Sequence, residues 1–145
     1  MDHYSKENYH LTQSVGFFLN RARDGLLVEM DAALKDLNIN AQQMGILLLL
    51  TRGVADTPFE MSKLLGIDSG LMTRMLDKLE SKGLLARSRS TDDRRMVNLT
   101  LTEKGIAVAG HIPEVAPKVL NARLKAFSQE EFDEFRRLLA KFANV

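Results

Sequence analysis

Basic side chains cluster between residues 82 and 95 of the chain. This segment has five basic and two acidic residues, a local charge of five minus two, or +3, in a chain whose net charge is +1. They are the basic residues Lys82, Arg87, Arg89, Arg94 and Arg95 and the acidic residues Asp92 and Asp93. Guanidinium groups on a short loop can neutralise phosphates or enter a narrow minor groove. We expect the four arginines to contact duplex DNA and Asp93 to orient one of them through a charge-assisted hydrogen bond. The alternative is a solvated polar turn.

A second polar set precedes this segment, on the exposed side of a helix predicted over residues 69–82. Its buried side is predicted from apolar residues at helical spacing, Met72, Met75, Leu76 and Leu79. The positions predicted to meet DNA are Ser69, Gly70, Leu71, Thr73, Arg74 and Lys78. Recognition helices meet base edges through their N-terminal residues, and Arg74 can make a bidentate contact to guanine. The alternative is a helix-turn-helix that has no DNA partner.

Other chemistry finds little support in the sequence. The histidines, His3, His10 and His111, are scattered, and there is neither a Gly-rich phosphate loop nor a nucleophile elbow. We therefore expect no catalysis, no cofactor and no metal. The absence of cysteine excludes disulfides and thiol switches and fits a reducing cytoplasm, where we expect the protein to act. No apolar run is long enough to span a membrane, so we expect no membrane partner.

The elements that must position these residues are mostly helices. Apolar spacing predicts helices over residues 10–37, 42–52, 58–65, 69–82 and 129–143, and another that begins near 103 and can bend at Pro113 and Pro117. Cap signals support the starts: Asn40 with Gln43, Thr57 with Glu60, Ser128 with Glu131, and Thr102. A change of period after Gly83 predicts strands over 84–88 and 96–102, the second from the strict alternation of Val97, Leu99 and Leu101 with polar residues. The polar residues 89–95 join them as a hairpin.

This order of elements predicts a mainly α fold with a small β-hairpin wing. Residues 38–102 would form a winged helix-turn-helix lobe, because a short helix, a turn at Gly66, a second helix and a hairpin follow one another there. Residues 1–37 and 103–145 would form a helical dimerisation region. The whole chain, 1–145, is of a size for one domain.

Three segments carry a family resemblance. Residues 93–105 read DRRMVNLTLTEKG, residues 76–85 read LDKLESKGLL, and residues 40–44 read NAQQM. These resemble, in turn, the wing, the end of the recognition helix and the start of the second helix of the MarR family of transcription regulators. The resemblance is specific over residues 58–105, is architectural elsewhere, and is closest to the SlyA-like branch.

The resemblance implies a homodimer whose terminal helices intertwine. The sequence independently carries more apolar surface at its ends than one small domain needs: Phe132, Phe135, Leu138, Leu139 and Phe142 in the last helix, and Leu11, Phe17, Phe18 and Leu19 in the first. The alternative is that these faces pack on each other within one chain. Two-fold symmetry would let paired recognition helices read a palindrome.

The resemblance also implies a small aromatic or anionic effector that binds between the helical region and the winged lobe. Candidate pocket residues are His10, Ser14, Phe17, Arg21, Met44 and Leu48. The alternative assigns these positions to the core and surface with no ligand.

The sequence thus favours a sequence-specific regulator that binds double-stranded DNA at a palindromic operator, acting as a repressor that an effector can release. Two other classes stay open. One is a winged-helix protein-interaction module without DNA binding; the other is an enzyme in the dimer cleft, which lacks a catalytic set.

Overall fold

The computed structural model describes residues 1–93 and 95–145, so that Arg94 lies outside the described part. Within that part, six α-helices flank one β-hairpin. In order along the chain the elements are α1 Val15–Ala33, α2 Ala41–Thr51, α3 Pro58–Leu65, α4 Ser69–Ser81, β1 Leu85–Arg89, β2 Val97–Leu101, α5 Glu103–Leu124 and α6 Gln129–Ala143. The predicted fold class, mainly helical with a small hairpin wing, is confirmed.

Side-chain caps begin α2, α3, α5 and α6 where the sequence predicted them. At α2, Asn40 Oδ1 accepts the Gln43 N–H at 2.9 Å and Gln43 Oε1 accepts the Asn40 N–H at 3.1 Å, which completes a capping box. α6 begins with the same reciprocal arrangement at Ser128. Thr57 and Thr102 cap α3 and α5.

The first helix is shorter at both ends than the helix predicted over 10–37. Ser14 caps α1, and a 3-10 turn over Leu11–Gln13 precedes it. At the other end a second 3-10 turn, Lys35–Leu37, leads to Asn38, whose φ of 56° lies in the left-handed region that asparagine tolerates better than most residues. The prediction of one continuous helix was wrong because the apolar spacing continues through both turns.

The core lies where α1, α2, α4, the hairpin and α5 meet. All four apolar residues of α4 that were predicted to be buried are in it. The other elements contribute Met30, Leu34, Ile46, Leu47, Met61, Leu84, Leu85, Leu99, Ala109 and Ile112, among others. Because protein interiors are close-packed, these contacts fix the direction in which the exposed side of α4 faces.

The start of α5 is closely joined to the turn that ends α4. Thr102 Oγ1 donates to the Gly83 carbonyl and accepts the Gly105 N–H at 3.0 Å. A Cβ at Gly105 would overlap the Leu84 carbonyl oxygen, so this position requires glycine. The C-terminal end of α4 is therefore held by the start of α5, which follows the hairpin.

α5 continues through both prolines at which the sequence allowed a bend. Pro113 and Pro117 are one turn apart and both are exposed. On that side, carbonyls that lose an intrahelical donor can bond water. The opposite side of α5 packs against α1 and α2.

α6 buries none of its residues within one chain. Phe135, Leu138 and Phe142 form one helical stripe and are 43%, 47% and 62% exposed. Leu11 and Phe18, near the start of α1, are also exposed. The apolar residues that the sequence assigned to dimerisation are thus largely uncovered in the isolated chain.

Candidate nucleic-acid interface

The polar side of α4 faces solvent as the sequence predicted. Gly66, with φ of 64°, ends α3 in the left-handed conformation, and Asp68 then caps α4 by accepting the Leu71 N–H at 2.9 Å. Of the predicted contact positions, five are exposed: Ser69, Gly70, Thr73, Arg74 and Lys78. Leu71 differs, since it is half-buried and packs against the core.

Local contacts arrange the first turns of α4. Thr73 Oγ1 donates to the Ser69 carbonyl at 2.9 Å, so the Thr73 hydroxyl keeps its lone pairs for an outside donor. The Arg74 guanidinium lies back over Gly70, with its Nη1 3.6 Å from the place of a Cβ there. This end of the helix therefore presents small groups and one long cation, the combination that direct readout of bases uses.

The two strands form an antiparallel ladder in which Arg87 pairs with Leu99 and Arg89 pairs with Val97. β2 is also tied to the lobe, because the Leu99 N–H donates to the Asp56 carbonyl at 2.7 Å. The hairpin is thereby anchored to the lobe from the middle of β2, while β1 packs beside α4.

The loop of the hairpin is organised around Asp93. Asp93 Oδ1 accepts the Arg95 N–H at 3.0 Å and lies 3.6 Å from Arg95 Nε, which is an ion-pair distance. The orienting role of Asp93 toward DNA stays a prediction. Arg95 is 94% exposed at the side chain, and Arg89 is also exposed. Arg94, which was predicted to contact DNA, lies outside the described residues.

Arg87 has different surroundings from the other wing arginines. Its Nη2 donates to Asp77 Oδ1 at 2.5 Å and to Glu80 Oε1 at 3.1 Å, and its Nε donates to Glu80 Oε2 at 3.3 Å. The hydrogen bonds from Arg87 lower the pKa of Glu80, and those to Glu80 and then Asp77 raise the pKa of Arg87. The sequence analysis grouped Arg87 with the DNA contacts, and nothing in the spacing of Asp77 and Glu80 indicated this cross-element pairing.

Lys82 connects the end of α4 to the start of α2. Its Nζ donates to the Asn38 carbonyl at 2.6 Å and to Gln43 Oε1 at 3.2 Å. Desolvation by burial, followed by repulsion from Lys78, lowers the pKa of Lys82. Sequence reasoning counted this residue only as part of the local charge and missed its structural contacts.

The six predicted effector residues differ in burial and in their contacts. Ser14 is buried and its Oγ both donates to the Leu11 carbonyl and accepts the Phe17 N–H, which explains it as a helix cap. Met44 and Leu48 are half-buried beside the core, Phe17 is half-buried, and His10 and Arg21 are exposed. Arg21 borders a cavity of about 610 Å³ between α1 and α5, which Gly25, Val28, Glu29 and Arg123 also line.

Residues 1–93 and 95–145 lack two further features. They contain no group of three or more His, Cys, Asp or Glu side chains placed to hold a metal ion. They also contain no helix with the length and apolarity needed to cross a membrane.

Sequence comparison identifies relatives of the chain. A model of the MarR family matches residues 39–97. The multiple antibiotic resistance protein MarR of Escherichia coli (strain K12) is 33% identical over 124 residues, which are 85% of this chain and 84% of that protein. These matches favour a DNA-binding regulator over the protein-interaction module that the sequence left open.

Solved structures of similar shape include DNA complexes. A point variant of MarR from E. coli bound to operator DNA has a TM-score of 0.82 and 28% identity, covering 88% of this chain and 92% of that one. The transcriptional repressor CouR bound to a 23-mer duplex has the same TM-score and identity, covering 97% and 99%. BpsR of Bordetella bronchiseptica, whose DNA binding is regulated by 6-hydroxynicotinic acid, has a TM-score of 0.84 and 25% identity, covering 94% and 98%.

The exposed polar face of α4, the hairpin beside it and the similarity to proteins whose structures were solved on DNA all indicate DNA binding. With 33% identity to E. coli MarR over most of both chains, this chain belongs to the MarR family and is a DNA-binding transcription regulator.

Proposed function

We propose that the chain acts as a homodimeric repressor that binds a palindromic operator in the bacterial cytoplasm. The observation that carries this proposal is the placement of the exposed polar face of α4 next to the hairpin, in one rigidly packed lobe. Recognition helices of this kind enter the major groove while an adjacent arginine-bearing loop can reach the minor groove. CouR, a repressor of similar structure, supports repression over activation.

The dimer in this proposal is formed by residues 1–37 and 103–145, and each lobe by residues 38–102. The exposed stripe Phe135, Leu138 and Phe142 supports it, since large contiguous apolar surfaces on soluble proteins mark interaction sites. A two-fold axis through this region would place two copies of α4 one helical turn of DNA apart.

The contacts are assigned by element. Arg74 would bond a guanine or a phosphate, while Ser69, Gly70 and Thr73 would lie close to base edges and Lys78 would meet a phosphate. In the wing, Arg89, Arg94 and Arg95 would follow the minor groove, with Asp93 holding the loop. Leu71 would contribute least to DNA contact, because it is half-buried.

The test is fluorescence anisotropy on the duplex upstream of the chain's own gene, with excess nonspecific competitor. Arg74→Ala is expected to weaken binding by about 1–3 kcal/mol, while Lys118→Ala, an exposed cation on α5, leaves it unchanged. Equal binding by both variants, or binding of one chain per site, would contradict the proposed interface.

We also propose that a small aromatic or anionic effector releases the protein from DNA, with His10, Ser14, Phe17, Arg21, Met44 and Leu48 as candidate pocket residues. BpsR supports the class of ligand, because 6-hydroxynicotinic acid regulates its DNA binding. The first probe is therefore 6-hydroxynicotinic acid added to the preformed complex. Release that Arg21→Ala abolishes would support the pocket; release unaffected by Arg21→Ala would place the ligand elsewhere.

Assignment to the SlyA-like branch stays part of this proposal. It is supported by the motif segments 76–85 and 93–105.

A further inference from the structure

One arginine of the wing faces protein rather than solvent. Arg87 lies on β1 beside α4, and its guanidinium reaches two carboxylates that are one helical turn apart, Asp77 and Glu80. The contact to Glu80 is bidentate, through Nε and Nη2. Its side chain is 28% exposed, against 94% for Arg95 at the loop. Bidentate pairing of this kind adds geometric specificity as well as energy.

The two carboxylates stand where a DNA-binding surface would least tolerate free negative charge. Asp77 follows Thr73 by four residues and Arg74 by three, so the three side chains lie on the same side of α4. An uncompensated carboxylate there would repel phosphates, because like charges are disfavoured where charges meet at an interface. The lowered pKa of Glu80 and the raised pKa of Arg87 both favour the charged forms of this cluster.

The ion pairs also join two elements that must act together. β1 belongs to the wing and α4 is the proposed recognition helix, and Arg87 connects them from the middle of β1, opposite Leu99. Arg89 provides an internal comparison, because side chains two residues apart on a strand point to the same face. Arg89 is exposed and, within residues 1–93 and 95–145, forms no ion pair.

We propose that Arg87 is a positioning residue, which clamps the wing to the proposed recognition helix and offsets part of the negative charge of Asp77 and Glu80, and that it does not itself bind a phosphate. This inference rests on the proposed DNA face of α4 and the wing. It divides the wing arginines into one that sets geometry, Arg87, and those nearer the loop that meet DNA.

A charge exchange separates positioning from direct contact. The proteins compared are wild type, Arg87→Glu, Glu80→Arg and the double variant carrying both changes, each titrated onto the operator duplex by anisotropy. Arg87→Glu is expected to weaken binding on the order of tenfold, and the exchange to return affinity to within about threefold of wild type, since it re-forms an ion pair between the same elements. If the double variant binds as weakly as Arg87→Glu alone, position 87 requires a cation for DNA and the proposal is overturned.

Arg89→Glu is the matched control. It places the same charge change on the same strand and face, and Glu80→Arg is expected not to rescue it. Rescue of Arg89→Glu would show a general charge effect and would overturn the assignment. If neither Arg89→Glu nor Arg74→Ala changes operator binding, the proposed DNA face fails, which is a result distinct from failure of the clamp.

A second measurement applies if Arg87→Glu unfolds. Arg87→Met and Arg89→Met are compared by the dependence of operator affinity on salt, together with thermal unfolding. Loss of a phosphate contact reduces the slope of log K against log salt by about 0.9. We expect this reduction for Arg89→Met and an unchanged slope with weaker affinity for Arg87→Met. An equal reduction in both variants would identify Arg87 as a phosphate contact.

Discussion

α4 and α6 are amphipathic helices of similar length, 13 and 15 residues, and they differ in what covers their apolar sides. α4 buries Met72, Met75, Leu76 and Leu79 inside its own chain, whereas α6 buries nothing. The orientation of α4, the proposed recognition helix, is therefore fixed by contacts within one chain. In the proposed dimer, the distance between the two copies of α4 would depend on what covers α6.

The largest effect is expected where α6 is disrupted. Leu138→Glu with Phe142→Glu should convert the proposed dimer to a monomer, because two carboxylates would have to be buried in an apolar interface. Operator affinity should fall by about 10²–10⁴-fold, since the second half-site would no longer bind intramolecularly. Light scattering gives the mass, and anisotropy gives the affinity.

The matched control for this experiment is Phe59→Glu. Phe59 is 77% exposed but lies on α3, in the winged lobe. We expect it to leave the mass of the particle unchanged. A dimer that survives both changes in α6 would mean that another surface joins the subunits.

Features that depend on residues close together in sequence could be predicted, and those that depend on distant residues could not. The helix starts were predictable because each cap uses residues three apart, as Asn40 and Gln43 do, and α4's buried side was predictable from period alone. Local rules failed at the ends of α1, where 3-10 turns preserve the apolar spacing while changing the backbone. They also did not reveal that Gly105 must be glycine, because that requirement comes from Leu84, a neighbour 21 residues away in sequence.

Some features of the candidate site could also be predicted from the sequence, and others could not. Exposure of Ser69, Thr73 and Arg74 follows from the helical period, so it could be predicted. The partners of Arg87 and Lys82 could not, because they are 7–10 and 39–44 residues distant in sequence and are brought near only by packing. Basic composition indicates that a segment can meet DNA, but tertiary contacts decide which of its cations are free to do so.

The next largest effect is expected where the start of α5 packs against the turn between α4 and β1. Gly105→Ala would place a Cβ against the Leu84 carbonyl and is expected to destabilise the fold by about 1–3 kcal/mol or more. Gly110→Ala, on the same helix with open space around it, should instead stabilise by about 0.5–1 kcal/mol. Urea unfolding of both variants measures the difference. Equal stabilities would show that α5 can move away from the turn freely.

Lys82→Met tests the contact between the end of α4 and the start of α2, and we expect a smaller loss of stability. Removing the ammonium leaves the Asn38 carbonyl and Gln43 Oε1 each with one donor fewer, which should destabilise by about 1 kcal/mol. Lys78→Met, an exposed neighbour, should stay within about 0.5 kcal/mol of wild type. If the salt slope of DNA binding falls for Lys82→Met as it should for Lys78→Met, then Lys82 also contacts DNA.

The smallest effect is expected from the exposed ion pair that joins α1 to α5 in the helical region. Arg123 Nε and Nη2 donate to Glu29 at 2.7 and 2.9 Å, and these hydrogen bonds lower the pKa of Glu29 from its ordinary 4.5. The pair therefore stabilises the fold at pH values above 4.5, and this stabilisation is lost as the pH falls through the lowered pKa of Glu29 in the folded state. Carboxyl NMR titration should show the Glu29 midpoint rising in Arg123→Gln, while Glu134, whose pKa is lowered by Arg137 within α6, titrates as in wild type. An unchanged Glu29 midpoint would mean that α1 and α5 are not held together at this point in solution, and the helical region would then depend still more on its partner.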